Sequence, residues 1–388
     1  MARPIRCLPP LCASVLVVAA LAAPFAARVA HAHGVGMSQL QLHVDGALVE
    51  GEWDLNLRDA RLVLGLDPQL GGEAGWRDLK SHEADLRARM LPALAMTSDG
   101  RDCTIEIPPA PMEWNPTFSD VRLHLVAHCP LAPAHLGLHD ELLFDLDPAH
   151  RAYFSIEDDR VTSVGVLRTG ERSVVVDVHQ FHLGPTIAEF IREGARHIWS
   201  GPDHMLFLIA LLLPAPLLRV GRGWSPRPGL WPAAREVSKV VTAFTLAHSL
   251  TLCLSFFRVV TPPSQAVEIG IAVSVFAAAW NNLRPFLPGR SWVMALGFGL
   301  IHGLGFAGAL SNLSLPRHAR GLALGSFNVG VEIGQLAIVL VVLPLLYAGS
   351  RRGWYPRVVM GLGSLAIAWM AIVWVLERAL GFSLLPGR

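Results

Sequence analysis

The chain has 388 residues, of which 52% are hydrophobic and 16% charged, with a formal net charge of +1. Such a length predicts more than one domain, and the near-zero net charge argues against a nucleic-acid-binding protein. The hydrophobic residues are concentrated after residue 197, so the composition favours a soluble part followed by a membrane part.

Residues 1–32 have the pattern of a secretory signal peptide. Two arginines precede an apolar run, and the small residues that follow end in Ala30-His31-Ala32, which is an A-x-A cleavage site. We therefore predict cleavage after Ala32, with an uncleaved anchor as the alternative. Cleavage leaves His33 at the N-terminus, where its amine and imidazole could chelate a metal. An ordinary exposed histidine is the simpler interpretation.

Residues 33–185 alternate between apolar and polar side chains, as strands do. Leu40, Leu42 and Val44 alternate in this way, and Asp45-Gly46 follows as a hairpin turn. One amphipathic helix is expected between Trp76 and Leu91. Further strands are predicted at 102–108, 120–128, 141–146, 161–167 and 173–179. Several short strands at this spacing predict an exported all-β, sandwich-like domain.

Two cysteines of this domain fall on the apolar phase of predicted strands. Cys103 aligns with Ile105 and Ile107, and Cys129 ends the alternating run that begins at Val121. The two side chains can therefore face each other across a sheet. In an oxidising compartment we favour a disulfide between them.

The stretch from Gly194 to Ile209 marks the change to the membrane part. It carries His197, Asp203 and His204 at the mouth of an apolar tract. The two histidines are seven residues apart, so a continuous helix would place them on one face, and Pro202 would kink that helix. Because ionisable groups at the edge of a lipid-spanning helix are costly, these three residues are functional candidates.

Six stretches are long and apolar enough to cross a bilayer; they lie near 198–218, 237–257, 264–283, 291–312, 323–347 and 358–377. If the β domain is outside, the loops after spans 1, 3 and 5 are cytoplasmic. Those loops hold ten Lys and Arg residues against five in the outer loops and tail, which satisfies the positive-inside rule. We predict an all-α six-helix bundle over residues 186–388 in the bacterial inner membrane, with both mature termini periplasmic.

Two short motifs occur twice in the predicted spans. Phe-x-x-x-His ends at His248 in span 2 and at His302 in span 4, while Val-Glu-Ile-Gly contains Glu268 in span 3 and Glu332 in span 5. The same order on hairpins of the same orientation predicts a parallel internal duplication with the ligand site between the repeats. Asn328 lies one turn before Glu332 on the same helix face.

The polar residues of the spans are mostly imidazoles and carboxylates. Such ligands suit borderline divalent ions such as nickel, cobalt or zinc, and suit a copper(I) pathway poorly. The predicted metal ligands are His197, Asp203, His204, His248, Glu268, His302, Asn328 and Glu332. The alternative is that these groups only hydrogen-bond between helices that glycines allow to pack closely.

The membrane part resembles the HupE/UreJ family of membrane proteins, which is associated with nickel supply to hydrogenase and urease. The resemblance rests on His197-x5-Asp203-His204, on Phe298-Gly-Leu-Ile-His302-Gly-Leu-Gly and on Phe327-Asn-Val-Gly-Val-Glu332-Ile-Gly-Gln. It implies a nickel or cobalt permease in which His197, Asp203 and His204 contact the ion. Of the motif Phe-His-Gly-x-x-His-Gly-x-Glu expected in these permeases, only His302-Gly303 matches, and the exported domain resembles that of a longer branch.

The sequence therefore predicts an integral membrane permease for a divalent transition-metal cation, nickel or cobalt in the first place, and not an enzyme. The exported domain would gather or gate the ion, or bind a periplasmic partner. His197, Asp203 and His204 would form an outer site, and the polar residues of spans 2 to 5 would carry the ion or exchange protons near the midplane. The alternatives are an intramembrane zinc metalloenzyme with Glu332 as base, and a membrane-anchored assembly or sensor protein.

Overall fold

The computed structural model describes residues 36–116, 119–158, 162–179, 183–221, 223–257, 259–287, 291–305 and 317–380. The predicted signal peptide, His33 and residues 306–312 of the predicted fourth span lie outside the described residues. The first part of the described chain is rich in strands and is called here the β domain (residues 36–179). The second part is the helical half (residues 183–380). This two-part layout confirms the predicted fold class.

The larger sheet of the β domain has the strand order β10-β9-β1-β2-β7-β5, with β6 also paired to β7. Strands β1 and β9 run parallel, and the other neighbours in this sheet are antiparallel. The predicted Asp45-Gly46 turn joins β1 to β2, and Gly46 has a φ of 58°, which favours glycine. The strands are β1 (Met37–Asp45), β2 (Leu48–Asn56), β5 (Thr104–Glu106), β6 (Glu113–Asn115), β7 (Asp120–His128), β9 (Arg151–Glu157) and β10 (Thr162–Arg168).

A second, four-stranded sheet completes the β domain in the order β11-β8-β3-β4. Its strands are β3 (Leu94–Ser98), β4 (Arg101–Asp102), β8 (His135–Asp140) and β11 (Ser173–Asp177). Alternate residues of both sheets, such as Leu123 and Leu138, are buried in one hydrophobic core, which is the arrangement that period-two patterning produces. Cys103 and Cys129 are joined by a disulfide at the edge of this core, which confirms that prediction.

The predicted strand at 141–146 is wrong. The chain turns there instead, and Leu143 has a φ of 71°. The side chain of Asp140, the last residue of β8, accepts a hydrogen bond from the backbone N–H of Leu142 at 2.7 Å. An aspartate that binds the backbone two residues ahead favours a turn over a strand.

The helix predicted between Trp76 and Leu91 is divided in the structure. Three short helices cover this side of the core, namely α1 (Leu57–Val63), α2 (Gly72–Ser81) and α3 (Glu83–Met90). His82 separates α2 from α3, and its Nδ1 lies 2.9 Å from the carbonyl oxygen of Asp78. The apolar residues Leu79, Leu86 and Met90 of α2 and α3 are nevertheless all buried, as on the apolar side of an amphipathic helix.

The helical half contains α4 (Leu183–Ser200), α5 (Pro202–Leu212), α6 (Leu230–Phe256), α7 (Ser264–Leu283), α8 (Ser291–Gly305), α9 (Arg317–Ser350) and α10 (Gly363–Leu380). A hairpin of β12 (Leu217–Val220) and β13 (Gly223–Pro226) connects α5 to α6. A π-helical turn, Pro356–Leu362, leads into α10. Helices α6 and α8 form one closely packed pair, and α4 and α9 form another.

Glycines set the separation within both helix pairs. A Cβ on Gly299 of α8 would lie 2.6 Å from the carbonyl oxygen of Phe244 on α6, and one on Gly303 would overlap the carbonyl of His248. In the second pair, a Cβ on Gly330 of α9 would overlap the backbone of Ile191 on α4. Glycines spaced four residues apart let helix backbones approach in this way. The approach brings the side chains of neighbouring helices together.

Within the described residues, four helices are long and apolar enough to cross a membrane, namely α6, α7, α9 from Gly321 to Ser350, and α10 together with its π-helical turn. The predicted first span is divided, since α4 ends at Ser200 and α5 begins at Pro202 after the extended residue Gly201. Helix α5 has 11 residues, and the described part of α8 has 15. The count of six spans and the position of the termini remain predictions.

An ionic network joins the β domain to the start of α4. Glu193, which is 6% exposed, lies 3.4 Å from Arg168 of β10 and 3.9 Å from Arg151 of β9. Arg168 also contacts Glu189 one turn earlier on α4. Tyr153 and Val166 of the β domain pack into the hydrophobic core of the helical half. The two regions therefore share both charged and apolar contacts around α4.

Candidate metal centre

Histidines from different helices converge inside the helical half. The imidazole nitrogens that His197 of α4, His204 of α5 and His248 of α6 can offer all lie within 4.8 Å of one another. The ring centroids of His197 and His204 are 4.6 Å apart, and His248 lies 6.2 Å and 6.3 Å from them. A tetrahedral ion bound at about 2.05 Å holds its nitrogens roughly 3.3 Å apart. Small inward movements of these rings would therefore complete a binding site.

The break between α4 and α5 brings the first two histidines together. His197 lies in the last turn of α4, and its carbonyl oxygen accepts the N–H of Gly201 at 3.1 Å. Pro202 then occupies the first position of α5, where proline is favoured because its missing N–H is not needed there. A Cβ on Gly201 would lie 2.9 Å from Nδ1 of His204. The small residue thus leaves room for the His204 ring.

His302 of α8 is the fourth member of this histidine cluster. Its ring lies 4.9 Å from that of His204, and its Nε2 lies 2.8 Å from Oγ of Ser274 on α7. The Ser274 hydroxyl donates its hydrogen to the carbonyl of Ile271 at 2.6 Å, so it accepts a hydrogen from His302 Nε2. The lone pair of a neutral His302 is then on Nδ1, which has no hydrogen-bond partner among the described residues.

Aromatic side chains enclose the histidines. The Phe244 ring stacks on that of His248, with ring centroids 5.8 Å apart, and packs edge to face with that of His302, with centroids 5.4 Å apart. Phe207 lies 5.2 Å from His302 on the α5 side. His248 and His302 are 0% and 1% exposed. Neither ring nitrogen of His248 has a partner at ordinary hydrogen-bond distance and angle in the described part of the chain, although the Asn328 side chain lies close by. Buried polar atoms of this kind call for an explanation such as a bound ion.

The predicted acidic ligands Asp203 and Glu268 lie beside an arginine instead of in the histidine cluster. Arg378 near the end of α10 donates a hydrogen bond to Asp203 Oδ2 at 2.7 Å and another to the backbone carbonyl of Glu268 at 2.8 Å. Asp203 is in the first turn of α5, where the helix dipole favours a negative charge. In the sequence, Arg378 is only one of the five basic residues assigned to the outer loops and tail.

Asn328 and Glu332 lie on α9. Asn328 is close enough to His248 to interact with it, and its amide donates a hydrogen bond to Leu324. Glu332, one turn later, is half-buried and forms no hydrogen bond or ion pair with any other residue that the structure describes. The structure thus brings the four predicted histidines together and places Asn328 next to them. It does not join the three predicted carboxylates to the cluster.

Some residues around the cluster were not found from the sequence. Ser274 is one, and the pair of Thr245 and Gln335, which hydrogen-bond at 3.0 Å between α6 and α9, is another. Their signal was present, because an isolated polar residue in an apolar span usually faces a neighbouring helix. Arg378 carries the same signal in the last turn of α10.

A protein-family model described as HupE / UreJ protein matches residues 173–378. The chain belongs to the HupE/UreJ family. The match covers the whole histidine cluster as well as Asp203, Glu268 and Arg378. No curated protein matches the chain. Family membership together with the apolar helices makes this HupE/UreJ protein a membrane protein related to metal transport.

The HupE/UreJ helices thus build a site of neutral nitrogen donors inside an apolar shell. Imidazole nitrogens bind nickel, cobalt, zinc and copper(II) well. The orientation of His302 by Ser274 is the kind of second contact that fixes which ring nitrogen can bind a metal. The pairing of Asp203 with Arg378 keeps a carboxylate close to the cluster while its charge is neutralised.

Proposed function

We propose that this HupE/UreJ protein is a permease for a divalent transition-metal cation, nickel or cobalt, and that the histidine cluster binds the ion during its passage. The observation that carries this proposal is the convergence of His197, His204 and His248 from three helices, with His302 beside them. Ionisable residues buried among membrane helices mark ion or proton pathways more often than structural contacts. The ion is the substrate, and the protein carries out no chemical reaction on it.

The surroundings of the cluster suggest an order of contacts. An ion that arrives near Asp203 competes with Arg378 for the carboxylate, and His204 is the next residue along α5. From there His197 and His248 are within one coordination sphere after small movements, and the His302 ring lies beside that of His204. Asn328 and Glu332 lie along α9 on the way out of the cluster. In this proposal Asp203 and Glu268 attract the ion, and the histidines hold it.

We further infer that the protein lies in the bacterial inner membrane. Signal-peptide cleavage after Ala32 would place the β domain in the periplasm and the helical half in the inner membrane with six spans. The contacts of Glu193 with Arg151 and Arg168 lie one turn from His197 on α4. A ligand or partner that shifts the β domain would therefore move a helix that carries a metal-binding side chain.

A flux experiment with purified protein in liposomes tests the proposal. Nickel or cobalt influx is measured for the wild type, His204→Ala, His248→Ala and the control Leu246→Ala, whose side chain is 66% exposed on the same helix as His248. We expect each histidine variant to lose at least about 10-fold in flux, because each removes a metal ligand. The control should transport normally.

Unchanged flux in both histidine variants would refute the proposal that the protein is a permease. A single tightly held zinc with no flux in any sample would favour the metalloenzyme alternative instead. A falling flux at acidic pH is also expected, since protons compete with the metal for the imidazole nitrogens.

A further inference from the structure

A second group of metal-binding atoms lies in the β domain, at the start of β1. Gly36 has no side chain, and a Cβ at that position would lie 2.8 Å from Oδ2 of Asp147, 3.0 Å from Oδ2 of Asp59 and 3.1 Å from Nδ1 of His150. Two carboxylate oxygens and one imidazole nitrogen therefore surround a single small volume beside the backbone.

Two of the three side chains, those of Asp147 and His150, are held by other contacts that direct the remaining atom to this volume. The Oδ1 atom of Asp147 accepts the backbone N–H of Ala149 at 2.8 Å, which leaves Oδ2 for the volume. The Nε2 atom of His150 lies 3.0 Å from the hydroxyl of Ser38, which leaves Nδ1. Such supporting hydrogen bonds are typical of metal ligands, because they fix the orientation of the binding atom.

Two of the three atoms are buried without a partner. Asp59 is 2% exposed and His150 is 0% exposed. Asp59 Oδ2 and His150 Nδ1 have no hydrogen-bond partner among the described residues. A buried polar atom in this state destabilises the fold. A cation bound between them would satisfy both.

The charges around the volume are mixed. Burial raises the pKa of Asp59 to about 6, and the charge of Asp147 acts in the same direction, while Arg58 opposes it. Burial lowers the pKa of His150 to about 4, with Asp147 opposing and Arg151 assisting. His150 is therefore neutral at physiological pH and keeps a lone pair, and both carboxylates can ionise when a cation is present.

We propose that Asp59, Asp147 and His150 bind a divalent first-row transition-metal cation in the β domain, at a site separate from the histidine cluster. Two oxygens and one nitrogen suit such an ion, and two carboxylates balance its charge. Bonds of about 2.0–2.2 Å require the ion to lie away from the Gly36 backbone and the three side chains to move towards it. Copper(II) is the tightest-binding ion of the first-row divalent series, and it is therefore the most sensitive probe for this site.

The test uses the full chain in detergent and copper(II) as the probe, in a His204→Ala/His248→Ala background that removes two histidines of the cluster. We expect this protein to retain one copper(II) ion after equilibrium dialysis. Adding His150→Ala or Asp59→Asn should weaken binding at least about 100-fold. Adding Gly36→Ala should do the same while every ligand is kept, because its methyl group occupies the volume. The matched control His139→Ala alters a half-buried histidine elsewhere in the domain and should have no effect.

Folding failure is controlled by a measurement on the background protein alone. Labelling with ¹⁵N-histidine should change the nitrogen splitting in the electron paramagnetic resonance spectrum of its bound copper(II). Either an unchanged spectrum or full binding in the His150→Ala protein would overturn the proposal. If the background protein binds no copper(II), the proposed site in the β domain is also overturned, while the proposed permease function is unaffected. Conversely, unchanged ion flux in His204→Ala and His248→Ala would overturn the proposed permease function without contradicting the proposed site in the β domain.

Discussion

Three glycines on one helix allow the importance of helix separation to be measured with a single chemical change. All three lie on α8, and each receives a methyl group as Gly297→Ala, Gly299→Ala or Gly303→Ala. A Cβ on Gly297 meets nothing within 4 Å. One on Gly299 would lie 2.6 Å from the carbonyl oxygen of Phe244, so α6 and α8 must separate by at least about 0.4 Å to reach the usual limit of 3.0 Å. One on Gly303 would overlap the carbonyl of His248 and needs a larger shift.

We expect these substitutions to weaken metal binding, because metal–ligand bond lengths vary over a narrow range. Metal–ligand distances vary by only about 0.2 Å. A shift of about 0.4 Å or more between α6 and α8 therefore moves His302 too far from His248 for both to keep their distances to one ion. We expect nickel affinity to fall by about 10-fold for Gly299→Ala and by more for Gly303→Ala, with Gly297→Ala equal to the wild type. Overpacking of this kind also costs about 1–3 kcal/mol of stability, so thermal unfolding should follow the same order.

Nickel binding is measured by isothermal titration on equal amounts of folded protein, and flux is measured in liposomes. If Gly303→Ala binds and transports nickel as well as Gly297→Ala, the separation of α6 and α8 does not set the metal geometry. If stability falls in the expected order while affinity stays constant, the glycines serve packing alone.

Three further predictions concern single contacts. Ser274→Ala removes the acceptor that fixes the tautomer of His302, so nickel affinity should fall by about 10-fold in titration while the helical circular dichroism is unchanged. Arg378→Gln frees the charge of Asp203, so the apparent nickel KM for flux should fall; an unchanged KM would mean that this pair does not lie on the ion path. Asp140→Asn should raise the Tm of the β domain at pH 8 but not at pH 4: burial raises the pKa of Asp140 to about 7, so its contribution to stability is present below pH 4 and is lost as the pH rises to 7. Equal Tm shifts at both pH values would contradict that reasoning.

The sequence predicted the parts of the fold that depend on periodicity. The alternation from Val121 onward became β7 with its apolar residues buried, and the same alternation put Cys103 and Cys129 close enough to join. It failed where a side chain competes with the backbone. The Asp140 carboxylate binds the N–H of Leu142 and starts a turn where hydrophobicity alone indicated a strand.

The candidate site was predicted in its residues but not in its arrangement. The four histidines were found because ionisable groups are rare in apolar spans. Position along the predicted spans places His197 and His204 in an outer site with Asp203, and His248 and His302 in a second site near the midplane. In the structure the chain breaks at Gly201, the rings of His197 and His204 lie 4.6 Å apart, and all four histidines belong to one cluster. The partner of Asp203, Arg378, is 175 residues away in the sequence, and no local pattern joins them.

The chemistry of the cluster favours passage of an ion over its storage. Structural zinc sites hold their ion with thiolates or carboxylates whose charge balances it, whereas the four residues of the cluster are neutral imidazoles. The neighbouring Asp203 is already paired with Arg378, and Glu332 forms no hydrogen bond or ion pair with the histidines in the described part of the chain. A divalent ion among these rings keeps most of its charge in an apolar shell, and such a charge is expensive without a counter-charge. The binding energy is therefore limited, and an ion that is held weakly at an intermediate depth is one that can leave.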